Sequence, residues 1–241
     1  MAAAPQISVV VPVFDEEGAA PALAREIAAA FAGRSFEILF VDDASRDGTR
    51  AALAGLKAEI PQLRLLAHRR NAGQSRAVRS GVLAARGAVI VTLDGDGQND
   101  PADGPELADA LLAGPPELAM VAGERVKRQD STAKKLASRV GDGVRKRLLR
   151  DTANDTGCGL KAFRREAFLR LPYFDHVHRY LPALMLREGY RVEYRPVRHR
   201  HRRTGRSKYT NLGRLWASLS DLLGVMWLQS RARDPGGADE A

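Results

Sequence analysis

Short apolar runs and amphipathic stretches alternate through the first half of the chain. Ile7–Val11, Glu37–Val41, Leu63–Ala67, Ala88–Leu93 and Leu118–Ala122 are apolar or β-branched. Runs filled on both faces suit strands covered on each side by helices. Between them, Ala19–Phe31, Thr49–Glu59, Gln74–Ala85 and Pro101–Leu112 carry helical spacing. Pro21, Pro61 and Pro101 fall near element ends, where proline is tolerated. The alternation predicts an α/β fold with a mostly parallel sheet, whose ligands bind beyond the carboxyl ends of the strands.

The second half is less regular. Ser131–Arg150 reads as a long basic helix, Asp155–Phe163 as a turn entering a short strand, Tyr180–Arg187 as a helix and Tyr190–Val197 as a strand. His199–Tyr209 reads as a basic loop. Asn211–Leu228 has an apolar stripe of Leu212, Leu215, Trp216, Leu219, Leu222, Leu223, Met226 and Trp227, the pattern of an amphipathic helix. That stripe suits either packing against the protein or a membrane interface, where tryptophan and the flanking Arg214 and Arg231 are at home. From Ala232 onward a loose tail is expected.

Composition narrows the class. The chain has 241 residues, 44% hydrophobic and 28% charged, and one cysteine, Cys158. This excludes a disulfide scaffold and suits a reducing cytoplasm. No apolar run reaches the roughly 18 residues of a spanning helix, and Met1–Pro5 begins no secretory signal. The net charge of +9 is uneven: residues 1–120 carry 11 Lys/Arg against 16 Asp/Glu, and the remainder 27 against 13. A basic second half points to an anionic partner: nucleic acid, membrane or phosphate.

Three strand ends carry candidate chemistry. In VTLDGDGQNDP (91–101), Asp94, Asp96, Gln98 and Asp100 occupy alternate positions after an apolar run. Oxygen ligands spaced by small residues suit Mg2+ or Mn2+, which complete their shells with water and substrate phosphates. Gly95 would let a diphosphate approach the backbone, and Asp100 would cap the helix opening at Pro101. Asp94 and Asp96 stand together with no evident local cation. In ILFVDDASRDGT (38–49), Asp42 and Asp43 could accept from a base or ribose, with Ser45 or Asp47 as a cap. In VVVPVFDEEG (9–18), Pro12 stiffens the exit, Phe14 offers an apolar face and Glu16 an acceptor. His176, His178, His199 and His201 read as solvated loop residues, and Cys158 as a small packing residue.

Together with NAGQSRAVRSG (71–81), DTGCGLKAFRRE (155–166) and RRTGRSKY (202–209), these segments resemble the GT-A glycosyltransferases of family 2, and within them the dolichyl-phosphate mannose synthase group. The resemblance covers about residues 5–212. It implies a Rossmann-like, mixed, mostly parallel sheet flanked by helices. The implied organisation is a catalytic domain over 1–210, with a nucleotide-sugar half at 1–122 and an acceptor half at 123–210, then a helix over 211–231 and a tail over 232–241. It further implies a nucleotide-sugar donor such as GDP-mannose or a UDP-sugar, Mg2+ or Mn2+, a polyprenyl-phosphate acceptor, and an inverted product formed on the cytoplasmic face of a membrane.

By position, donor contacts fall on Pro12, Phe14, Glu16, Val41, Asp43, Asp94, Gly95 and Asp96, and metal ligands on Asp96 and Gln98. Arg125, Lys134 and Ser138 match positions that meet the acceptor phosphate; Arg202 and Lys208 match a pair that closes on the diphosphate. Phe14 stands where tyrosine is frequent, Lys134 where arginine is, and Cys158-Gly159-Leu160-Lys161 where Ser-Gly-Phe-Arg is usual. A sugar or polysaccharide hydroxyl is the alternative acceptor, and would require a carboxylate base. Nucleic-acid binding has only the basic half in its favour, without a recognition motif.

Overall fold

The structure is a computed structural model that describes residues 4–125, 147–149, 151, 155–201 and 211–233, the side chains of 211–218 aside. Seven strands form one sheet: β1 (Ile7–Val13), β2 (Phe36–Asp42), β3 (Leu63–Ala67), β4 (Val89–Thr92), β5 (Leu118–Arg125), β6 (Lys161–Arg164) and β7 (Arg191–Val197). Their order is β3-β2-β1-β4-β6-β5-β7. All pairings are parallel except those of β6, which runs antiparallel to both β4 and β5.

The helices are α1 (Ala20–Ala30), α2 (Thr49–Gly55), α3 (Gln74–Ala84), α4 (Gly104–Ala113), α5 (Arg165–Arg170), α6 (Leu181–Arg187) and α7 (Asn211–Ser230). Right-handed crossovers explain their faces. The chain steps one way from β1 to β3 and back again to β4, so α1 and α2 cover one face and α3 the other. Alternate strand residues sort accordingly. Val9, Val11, Ile38 and Phe40 join Leu23, Ile27, Leu53 and Leu107 in one core. Val10, Leu39, Val41 and Ile90 join Val78, Val82, Phe168, Leu184 and Val225 of α7 in the other.

The strand order reverses between β1 and β4, which opens a crevice at the carboxyl ends of the parallel strands. Because β6 is antiparallel, its first residue, Lys161, lies at this same edge. The Asp155–Leu160 turn thus walls the crevice from the second half of the chain. Nothing among the described residues makes a helix long and apolar enough to cross a membrane.

Candidate active site

Asp94 follows β4 and is fixed on two sides. Its Oδ1 accepts from Gln74 Nε2 at 2.8 Å, and its backbone N–H donates to Asn99 Oδ1 at 3.0 Å. Burial first, and the Asp96 carboxylate second, raise the Asp94 pKa; Lys161, the Gln74 hydrogen bond and Arg125 pull it down. Lys161 is 4% exposed and donates to the Cys158 carbonyl. Burial lowers its ammonium pKa against the opposing pull of Cys158, Asp94 and Asp155. The acidic pair therefore does have a local cation, contrary to the sequence expectation. It arrives 67 positions later on the antiparallel strand that pairs with β4, in register with Thr92.

A small cavity beside this pair is lined by Pro12, Gln74, Thr92, Asp94, Gly159, Lys161 and His178. His178 is not a solvated loop residue: its Nδ1 lies 2.6 Å from Ser75 Oγ. Burial, then the nearby charges of Lys161, Arg179 and His176, lower its pKa from 6.5 to about 3. It is a neutral imidazole at physiological pH.

Gly95 has a packing reason of its own, besides the expected approach of a diphosphate. A Cβ there would stand 2.7 Å from the Pro12 carbonyl oxygen and 2.5 Å from Val13 Cγ1. Its missing side chain lets the 93–100 loop close against β1. Gly97 takes a positive φ of 72° that turns the loop. Asp96 Oδ1 accepts from the Gln98 N–H at 3.0 Å. The Gln98 side-chain amide lies 3.5 Å from His199 Nε2, and Asn99 bridges His199 in antiparallel fashion. His199 is thus docked against the acidic loop instead of being solvated.

Among the described residues no three His, Cys, Asp or Glu side chains form a closed metal cage. The Asp96 carboxylate and the Gln98 side-chain amide are donor types that suit an open site for a divalent ion that takes its remaining ligands from phosphate and water. Arg200 straps this region down, pairing with Glu26 and, at 2.6 Å, with Asp100. Asp100 also accepts from the Ala102 N–H, the expected cap.

At the β2 end, Asp43 accepts from the N–H groups of Ala72 and Gly73 at 2.9 and 2.8 Å and lies 2.7 Å from His68 Nδ1. Its first task is to hold the 68–73 loop; a carboxylate retains capacity for one further donor. Asp42 caps toward Ser45, and Asp47 accepts from Thr49. The Val41 side chain is fully buried in the core, which leaves only its backbone for a ligand. Pro12 lines the cavity, and Phe14 and Glu16 are partly exposed in the loop after β1.

Arg125, at the end of β5, grips Asp155 through Nε at 2.5 Å and Nη2 at 2.6 Å. Burial opposes its charge, yet this pair raises its pKa further. Cys158 is buried, and burial raises its thiol pKa, in keeping with packing. Lys134, Ser138, Arg202 and Lys208 lie outside the described residues, as do most of the basic helix expected over 131–150 and the 202–209 segment.

This fold and crevice define the GT-A class of glycosyltransferases. Glucosyl-3-phosphoglycerate synthase of Mycobacterium tuberculosis, solved with Mn2+, UDP-glucose and glycerol 3-phosphate, superposes with a TM-score of 0.69 at 18% identity, over 96% of this chain and 82% of that one. The sequence profile described as Glycosyl transferase family 2 matches residues 8–171, and the chain belongs to that family. Dodecaprenyl-phosphate galacturonate synthase of Rhizobium johnstonii is 33% identical over 96% of this chain and 69% of its own length. Undecaprenyl-phosphate 4-deoxy-4-formamido-L-arabinose transferase of Klebsiella pneumoniae is 33% identical over 85% of this chain. This chain spans only 63% of that enzyme.

Proposed function

We propose that the chain transfers a sugar from a nucleotide-sugar donor to the phosphate of a polyprenyl phosphate, inverting the anomeric carbon, at the cytoplasmic face of a membrane. The observation that carries this reading is the meeting of Asp94, Asp96 and Gln98 with Lys161 and Arg125 at one sheet edge. The relatives' names favour a donor sugar altered at C4 or C6 over mannose.

The main obstacle is repulsion between a diphosphate leaving group and a phosphate nucleophile. Pro12, Phe14, Glu16 and Asp43 hold the nucleoside over the β1 and β2 ends. Asp96 and Gln98, with His199 beside them, would hold Mg2+ or Mn2+, which neutralises the departing diphosphate when bound. Asp94, backed by Lys161, orients the sugar. Arg125 presents the guanidinium edge that Asp155 leaves free, and Lys134 and Ser138 complete the acceptor grip. Arg202 and Lys208 close on the diphosphate. A phosphate monoester has a second pKa near ~6, so the nucleophile needs no strong general base.

Residues Leu219, Leu223 and Trp227 recur every fourth position on α7 and are 48%, 57% and 61% exposed. A stripe of this kind supports a peripheral position on the bilayer that holds the acceptor.

The test is transfer from a panel of nucleotide sugars to detergent-dispersed undecaprenyl phosphate with Mn2+. An acid-labile glycosyl phosphate, lost in Asp96→Ala with the fold intact, is expected. Full activity of Asp96→Ala, or an acid-stable product made on a sugar hydroxyl, overturns the reading.

A further inference from the structure

The exposed side of α3 and the loop before it carry four arginines without an acidic partner among the described residues. Arg69 and Arg70 are exposed and, with His68, Ala72 and Arg76, line a shallow hollow. Arg76 and Arg79 both stack on the Tyr173 ring, at 4.0 and 5.1 Å from its centroid. Stacking fixes the guanidinium planes and leaves their N–H edges available. Leu83, 53% exposed, continues the same stripe, because positions 76, 79 and 83 share one helix face.

Several arginines elsewhere on the surface do find acidic partners: Arg25, Arg34, Arg170 and Arg198 each meet a carboxylate. The carboxylates near the patch are engaged elsewhere: Asp43 holds the 68–73 loop, and Asp175, beside Gly73, lies against His176. Gathering four like charges without counter-ions is unfavourable unless an outside anion offsets them.

We propose that this face of α3 and the 68–73 loop form a docking surface for the phosphate headgroups of an anionic bilayer. Guanidinium forks match phosphate oxygens. Nucleic acid is the weaker fit, because the one aromatic ring here, Tyr173, is already covered by arginine and offers no face for a base. Apolar exposure decides the point. The large exposed apolar side chains among the described residues are Leu83, Leu148, Leu219, Leu223 and Trp227. All belong to segments packed on the same side of the sheet, where Val78 and Val82 of α3, Leu149 and Val225 of α7 share one core. Arginines beside the protruding Leu83, on the same side of the sheet as the exposed leucines and tryptophan of α7, suit a headgroup boundary. The proposal extends the lipid-acceptor reading to a surface that meets the bilayer away from the reacting groups.

The full chain is sedimented with vesicles of pure phosphatidylcholine and with vesicles about one-third phosphatidylglycerol. Binding to the second set only, weakened by salt, is expected. Arg76→Gln/Arg79→Gln should lower the partition roughly 25-fold, since a basic residue near an anionic surface contributes about 1 kcal/mol, a factor of about five. Arg69→Gln/Arg70→Gln should act similarly, with unchanged melting temperature in both. Wild-type partition in both double variants overturns the proposal. So does displacement by millimolar inorganic phosphate, which would indicate a small-anion site, and so does salt-resistant binding to duplex DNA that the same substitutions abolish. Sedimentation requires no turnover, so absence of glycosyl transfer removes the proposed activity without touching this result. Conversely, transfer in detergent should be unchanged in both variants.

Discussion

Gly159 lies directly against the carboxylate of Asp94: a Cβ at this position would stand 2.2 Å from Asp94 Oδ2. The carboxylate cannot retreat freely, because Gln74 holds its other oxygen. Gly159→Ala should therefore displace Asp94 while leaving the buried strands intact. Turnover is expected to fall about 100-fold, the scale of an ångström-sized misplacement of a reacting group. Circular dichroism should be native. Unchanged turnover would show that Asp94 does not orient the substrate.

Asp94 and Lys161 should be energetically coupled. Both sit in the crevice, and each opposes the effect of burial on the other. A double-mutant cycle with Asp94→Asn and Lys161→Met, measured by urea unfolding, should give a coupling energy of ~1–3 kcal/mol. Strict additivity would mean that they do not interact.

His178 should make stability fall with acid. Its folded pKa is about 3, against an ordinary 6.5. The unfolded chain takes up a proton below about 6.5 while the folded chain resists until about 3. The contribution is complete above the higher value and is lost as pH falls through that window. Its slope reaches at most about 1.4 kcal/mol per pH unit. Urea midpoints at pH 7 and 5 should draw closer together in His178→Asn. An unchanged difference would place His178 in solvent.

Arg200 ties Glu26 on α1 to Asp100 beside the acidic loop, and it adjoins His199. Removing this support should loosen ion binding without removing a ligand. Arg200→Ala is expected to need about 10- to 100-fold more Mn2+ for half-maximal rate, as outer partners of metal ligands do. The same Mn2+ requirement as wild type would confine Arg200 to surface pairing.

Much of the architecture was legible in the alternation of periods. The runs predicted for β1 to β5 and the helices between them fall on observed elements within a few residues, because strands covered on both faces leave continuous apolar runs. The Asp100 cap was equally local and visible. Lys161 and His178 were not visible as site residues. Each reaches the crevice only through pairing of β6 with β4 or packing of the 177–179 turn against α3, and neither relation leaves a trace in residue spacing. The packing of Gly95 against β1 was likewise hidden, because a glycine before a candidate ligand and a glycine beneath a neighbouring strand look identical in one dimension. His199 looked solvated because its docking partner, Asn99, is 100 positions away.

The reversed direction of β6 divides labour between the two halves of the chain. The parallel strands β2 and β4 lead into Asp43 and Asp94, and the antiparallel strand that begins at that rim contributes the opposing ammonium of Lys161. Exchanging the 155–160 turn between family members would then be a compact way to graft a different sugar preference onto an untouched scaffold, since the swap alters one wall of the cleft and leaves the parallel strands β1 to β4 as they are.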